Sequence, residues 1–103
     1  MDNPIYFNQF LNGHLPDAYR YFGAHHVVID GQDGYFFRCY APMAKQISVI
    51  GDFNRWDGSQ NIMQKVDYRG LFECFIPGAK EFQKYKLHIL GCDNFIKDKQ
   101  DPF

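Results

Sequence analysis

Tryptophan is nearly absent from this sequence: Trp56 is the single indole in 103 residues. Cysteine is scarce as well. Cys39, Cys74 and Cys92 are odd in number, far apart and form no Cys-x-x-Cys pair. That spacing excludes a zinc site or a disulfide framework as the organising device, and a reducing cytoplasm is the expected home. An excess of one charge is missing too. Eleven basic residues against 12 acidic ones give a formal net charge of -1, with no basic stripe, so no nucleic-acid partner is expected. No apolar run approaches the ~20 residues that span a bilayer, and no membrane partner is expected. The start, Met-Asp-Asn-Pro, lacks a positive region followed by an apolar stretch, so no secretion signal is read. No glycine-rich phosphate loop opens a helix, no serine sits on a Gly-x-Ser-x-Gly elbow, and no cofactor is expected.

What is present in quantity is aromatic side chain. Phenylalanine occurs 11 times and tyrosine 7 times, and aromatics make up 18% of the chain. The length fits one domain. A domain of this size buries somewhat over ~60% of its unfolded surface, enough for one core but not for a large cleft as well. Some of the rings should therefore do something other than fill a core.

Residues 1–24 read as a helical lead-in that packs on the main domain. Asn3 can cap a helix that Pro4 opens, and Ile5, Phe7, Phe10 and Leu11 recur at helical spacing as far as Asn12-Gly13. A second helical piece is expected over Asp17 to Phe22. From His25 the period changes to two, and residues 25–103 read as one β domain. Strands are expected at His25–Asp30, Tyr35–Ala41, Lys45–Ile50, Ile62–Asp67, Leu71–Ile76, Lys84–Leu90 and Phe95–Lys97. Gly31-Gln32-Asp33-Gly34 reads as the first hairpin turn. Tyr35, Phe37, Cys39 and Ala41 form the expected core face of the second strand, with Phe36, Arg38 and Tyr40 on its other side. Ile47 and Val49 point inward, as do Phe72, Cys74 and Ile76, and Tyr85, Leu87 and Ile89; Lys84, Lys86 and His88 point outward. Seven short strands at this spacing predict an antiparallel β-sandwich. The chain ends on Asp101-Pro102-Phe103, an aromatic with nothing after it to pack against, which predicts a truncated chain.

Catalysis on glycans would need two carboxylates ~5–9.5 Å apart. Asp52 and Asp57 lie in a turn where backbone capping accounts for them. Glu73 faces outward on a strand and Glu81 lies in a loop. His25 and His26 are adjacent on a strand and diverge, while His14 and His88 stand apart, so no metal site is expected. What remains is a binding surface. Gly51-Asp-Phe-Asn-Arg-Trp-Asp-Gly58 is a dense run of turn formers after a strand. It either presents Trp56 to solvent, as a platform for the CH face of a sugar, or folds the ring back over the core. Lys86, Asn54 and Asn94 offer an ammonium and amides for hydroxyls, and Phe95 a second ring.

Several stretches together resemble one family. Tyr21-Phe22-Gly23-Ala24-His25 is similar to the Leu-Gly-Ala-His lead-in of glycogen branching enzymes. Phe37-Arg38-Cys39-Tyr40-Ala41-Pro42 resembles their Phe-Arg-Val-Trp-Ala-Pro strand, and Ile50 to Asp57 their Gly-Asp-Phe-Asn-x-Trp turn. Phe75-Ile76-Pro77-Gly78, Tyr85-Lys86 and Asp101-Pro102-Phe103 follow in the family order. The likeness runs from about residue 19 to the end; Phe72 and Tyr40 depart from it, standing where tryptophan is usual. It implies an immunoglobulin-like, glycogen-binding-type module placed before the catalytic barrel of a 1,4-α-glucan branching enzyme, in glycogen biosynthesis. It further implies that Trp56 and Lys86 touch α-1,4-glucan (glycogen or maltooligosaccharide), with Phe95 as the nearest second aromatic, or that the module packs on the barrel. The carboxylates of the retaining transfer belong to that barrel, and none is expected here. Two alternatives stay open: a glycogen-sensing module of a kinase complex, and a generic immunoglobulin-like protein-interaction domain.

Overall fold

A computed structural model describes residues 4–13, 18, 21–78 and 84–101. One helix, α1 (Pro4–Leu11), precedes eight strands: β1 (Gly23–Ile29), β2 (Gln32–Tyr40), β3 (Ala44–Gly51), β4 (Asn61–Ile62), β5 (Gln64–Asp67), β6 (Leu71–Pro77), β7 (Tyr85–Gly91) and β8 (Ile96–Lys99). They form two four-stranded antiparallel sheets, in the orders β1-β2-β6-β5 and β4-β3-β7-β8. The architecture is the expected immunoglobulin-like sandwich.

The core lies between the inner faces. Phe37, Cys39, Phe72 and Ile76 of the first sheet meet Ile47, Val49 and Leu87 of the second, and Tyr35, Ala41, Cys74, Tyr85 and Ile89 pack around them. Strict alternation put these residues on one side of each strand, and the expected inward faces of β2, β3, β6 and β7 are the observed ones. Cys39 behaves as a small hydrophobe: burial, with the nearby charge of Asp101 second, pushes its thiol up to about 12.

Three expectations are corrected. The first hairpin turns at Asp30-Gly31, both at positive φ (51° and 79°), with Ile29 opposite Gln32. This two-residue turn matches strand twist better than the longer Gly31–Gly34 turn read from sequence. The fourth strand is two strands. Met63 is buried in the core, and on either side of it the chain pairs first with β3 and then with β6. Between them the chain changes sheets.

Arg38 is buried rather than outward, at 4% exposure. Its guanidinium stacks on the Tyr21 ring at 4.1 Å and near Phe36 at 4.9 Å, donates to the Tyr21 carbonyl at 3.1 Å, and pairs with Glu73 at 2.7 Å. Glu73 therefore serves as a buried cation's partner. The cover comes from the N-terminal segment: Phe7, Tyr21, Phe22 and Leu71 form a second cluster on the outer face of the first sheet. Rings at Phe10–Phe22 (4.5 Å) and Phe10–Tyr40 (5.3 Å) close it. Asn3, and most of the second helical piece expected at Asp17–Phe22, lie outside the described residues. The functional consequence is an asymmetry. The outer face of the first sheet is roofed by α1 and the segment around Tyr21, while that of the second is overlain, among the described residues, by the loop that carries Trp56.

Candidate functional site

The Trp56 loop begins where β3 ends. Asp52–Asn54 make one 3₁₀ turn, and Arg55 and Trp56 then both adopt left-handed backbone, at φ 57° and 59°. For an aromatic residue this conformation costs on the order of 1–3 kcal/mol and persists only where its surroundings impose it. Asn54 imposes it. Its side-chain oxygen accepts from the Gly51 N–H at 3.0 Å, and its amide nitrogen donates to the Val49 carbonyl and to Asn61 Oδ1, both at 2.7 Å. Asn54 is only 5% exposed. The expectation that it offers an amide to a ligand is corrected: its donors and acceptor are spent holding the loop shut.

Trp56 stands out from this staple at 41% exposure, so the ring faces solvent and is not folded back over the core. Its backbone N–H donates to the Gly51 carbonyl at 2.9 Å, and its indole Nε1 donates to Asp52 Oδ1 at 3.1 Å. One edge of the ring is thereby fixed. Asp57 accepts from the Ser59 backbone and hydroxyl and from Gln60, which holds its carboxyl below the usual range. Asp52 and Asp57 are thus engaged within the loop, and Glu73 pairs with Arg38 on the opposite sheet; Glu81 lies outside the described residues.

The loop comes down on the outer face of β3 and β7. Ser48 Oγ donates to the Gly58 carbonyl at 2.6 Å. A Cβ placed on Gly58 would lie 2.6 Å from the His88 ring, so only glycine lets the loop approach β7 this closely. Lys86 and His88 lie directly opposite Ile50 and Ser48 in the β3–β7 register, so their side chains share that face. Lys86 is exposed there. Trp56 and Lys86 therefore belong to one end and one face of the second sheet.

Phe95 and Asn94 do not join them. They sit in the β7–β8 turn, beyond Gly91, which is paired with Ala44 at the far end of β3. Lys86 and Gly91 are separated by roughly 17 Å of strand. Asn94, at φ 66°, accepts from Lys45 Nζ at 2.6 Å, and Phe95 is 69% exposed. Here the ring borders an apolar cleft of about 430 Å³, lined by Cys39, Ala41, Met43, Leu87 and Ile89 among others, with Asp101 at its wall. The Tyr85 hydroxyl donates to Asp101 at 2.6 Å; burial, reinforced by this carboxylate, moves the phenol above its ordinary range.

Sequence reasoning missed a pair at the Trp56 end. His88 Nδ1 lies 2.6 Å from Asp98 Oδ1, across the β7–β8 register. The outward alternation of β7 gave His88 its face, but the partner became visible only once β8 was extended to Lys99. Among the described residues no cluster of His, Cys, Asp and Glu could hold a metal, and no helix is long and apolar enough to cross a membrane.

Comparison with known proteins gives the site its setting. The chain is 38% identical over 94 residues to the 1,4-alpha-glucan branching enzyme GlgB of Bacillus subtilis (strain 168), covering 91% of this chain and 15% of that enzyme. It is 39% identical over 94 residues to the 1,4-alpha-glucan branching enzyme GlgB of Thermosynechococcus vestitus, again covering 91% of this chain but 12% of the relative. The chain thus spans about an eighth of the length of the curated relatives it matches. Its sandwich is matched from residue 7 to residue 103 by carbohydrate-binding module 48, the isoamylase N-terminal domain, and the chain belongs to that family.

Proposed function

We propose that this chain is the non-catalytic α-glucan-binding module of a cytoplasmic 1,4-α-glucan branching enzyme in glycogen biosynthesis, with Trp56 and Lys86 as its principal sugar contacts. The observation that carries the reading is the exposed indole, locked in left-handed backbone by buried Asn54 and by Asp52, in a chain of a carbohydrate-binding family. Strain of this kind concentrates at functional sites. A ring held by one edge supplies a flat apolar surface for pyranose CH groups, and the nearby ammonium donates to hydroxyls. Lone surface contacts of this sort give weak binding, with a dissociation constant on the order of 0.1–1 mM.

The test is Trp56 fluorescence titrated with maltoheptaose, with cellohexaose as the control. A saturable response to the α-linked sugar alone is expected. No response, or an equal response to both, defeats the reading. Phe95 and Asn94 are assigned elsewhere. The apolar cleft they border favours a second role, packing against the catalytic barrel of the same full-length enzyme, with Met43 (72% exposed) and Phe95 as the contacts. Replacing both by serine in the full-length enzyme should lower its thermal stability while leaving maltoheptaose binding to the module unchanged. An unchanged melting temperature would remove that role.

A further inference from the structure

The outer face of the second sheet is a grid of side chains in register. Ile50 stands opposite Lys86 nearest the Trp56 loop. The next row is Ile62, Ser48, His88 and Asp98, one from each strand, and the row beyond is Gln46, Leu90 and Ile96. Rows on one face are separated by two residues, so the track along β7 from Lys86 to Leu90 is about 13 Å long, longer than a single pyranose ring. Its chemistry alternates. An exposed ammonium is followed by a histidine–carboxylate pair, whose side chains are 33% and 50% exposed, and then by Leu90 beside Ile96, which is 61% exposed.

The contact between His88 Nδ1 and the Asp98 carboxylate orients the imidazole and places Nε2 at the foot of the Trp56 loop, close to Gly58. Asp98 retains further lone pairs on its exposed side. A polar pair between an ammonium and an apolar patch suits a ligand that presents both hydroxyls and CH faces.

We propose that the glucan footprint does not end at Trp56 and Lys86 but continues along β7 and β8, over the His88–Asp98 pair to Leu90 and Ile96. This inference rests on the α-glucan reading above and sharpens it. The face takes a run of several α-1,4-linked glucosyl units, with Asp98 and His88 bonding hydroxyls of the units beyond the one stacked on Trp56.

The experiment is calorimetric titration of this chain and of three variants, Asp98→Ser, His88→Gln and Ile96→Ser, with maltotriose and with maltoheptaose. Maltoheptaose should bind the unaltered chain more tightly than maltotriose. Asp98→Ser and Ile96→Ser should weaken maltoheptaose roughly 3- to 10-fold, the loss of one net contact, and shift maltotriose by less than about two-fold. Ile96 lies in the row farthest from the Trp56 loop, so its variant keeps the test informative if His88→Gln disturbs Gly58. Equal losses for both sugars would make the pair a support for the Trp56 loop and overturn the proposal. Unchanged affinities in all three variants would overturn it as well, while leaving Trp56 as the binding residue. Absence of binding by the unaltered chain would remove the α-glucan reading and this extension together.

Discussion

The two ends of the sheet β4-β3-β7-β8 each display an exposed aromatic ring, and they are built on opposite principles. At the Trp56 end the ring is set by polar chemistry. A buried amide, a carboxylate and two left-handed residues fix the loop, and the indole itself is bonded through Nε1. At the Phe95 end the turn is tied through its backbone, through Asp93 and through the Lys45–Asn94 bond, but the ring itself has no polar atom to fix it and borders an apolar cleft. A ring held by directional bonds is suited to a ligand that is half polar. A ring beside an open apolar cleft is suited to another apolar surface. Exposure alone does not separate the two cases; what holds the ring does.

The comparison can be broken most sharply at Asn54. Asn54→Ala would leave the Gly51 N–H and Val49 carbonyl without partners in a buried setting, at a cost of about 2–3 kcal/mol. Denaturant unfolding should show that loss, together with loss of the maltoheptaose response. Phe95→Ser, by contrast, should change stability by less than about 0.5 kcal/mol, as for an exposed site, and leave the sugar response intact. If the two variants behave alike, the ends are not distinct.

A smaller effect sharpens the account of strain. Arg55→Gly relieves one left-handed residue without touching the indole, so stability should rise, by no more than about 1 kcal/mol. A fall would show that the Arg55 side chain holds the loop.

The cleft end has its own titration. The Cys39 thiol is pushed from its ordinary 9.0 to about 12. Its folded pKa lies above its unfolded one, so its contribution is whole below pH 9 and is lost as pH rises toward 12. Tyr85, shifted in the same direction, adds to the loss above pH 10. Denaturation midpoints should therefore be flat from pH 7 to 9 and fall above. A thiol reagent at pH 8 should modify exposed Cys92 while sparing Cys39.

Much of this was legible in the sequence, because alternation dictates faces. Ile47, Val49, Leu87 and Phe72 lie where period two put them, and Lys86 points outward as read. What was not legible depended on elements far apart in the chain. Arg38 looked outward because its strand's alternation is blind to the N-terminal segment that covers it. Met63 marks a change of sheet that no local pattern announces, since Ile62 to Asp67 keeps its strand character throughout. Asn54 and Trp56 share one turn motif, and only hydrogen-bond partners reveal that one is a staple and the other a display. Phe95 was grouped with Trp56 by residue type, and strand length separates them.

The most direct measurement is a backbone amide shift map of the chain titrated with maltoheptaose. The account predicts perturbations confined to Gly51–Gly58 and to the outer face of the second sheet, from Lys86 and His88 to Asp98, Leu90 and Ile96, with Met43 and Cys92 silent. Perturbations centred on Met43, Cys92 and Phe95, with the Trp56 indole unmoved, would contradict it.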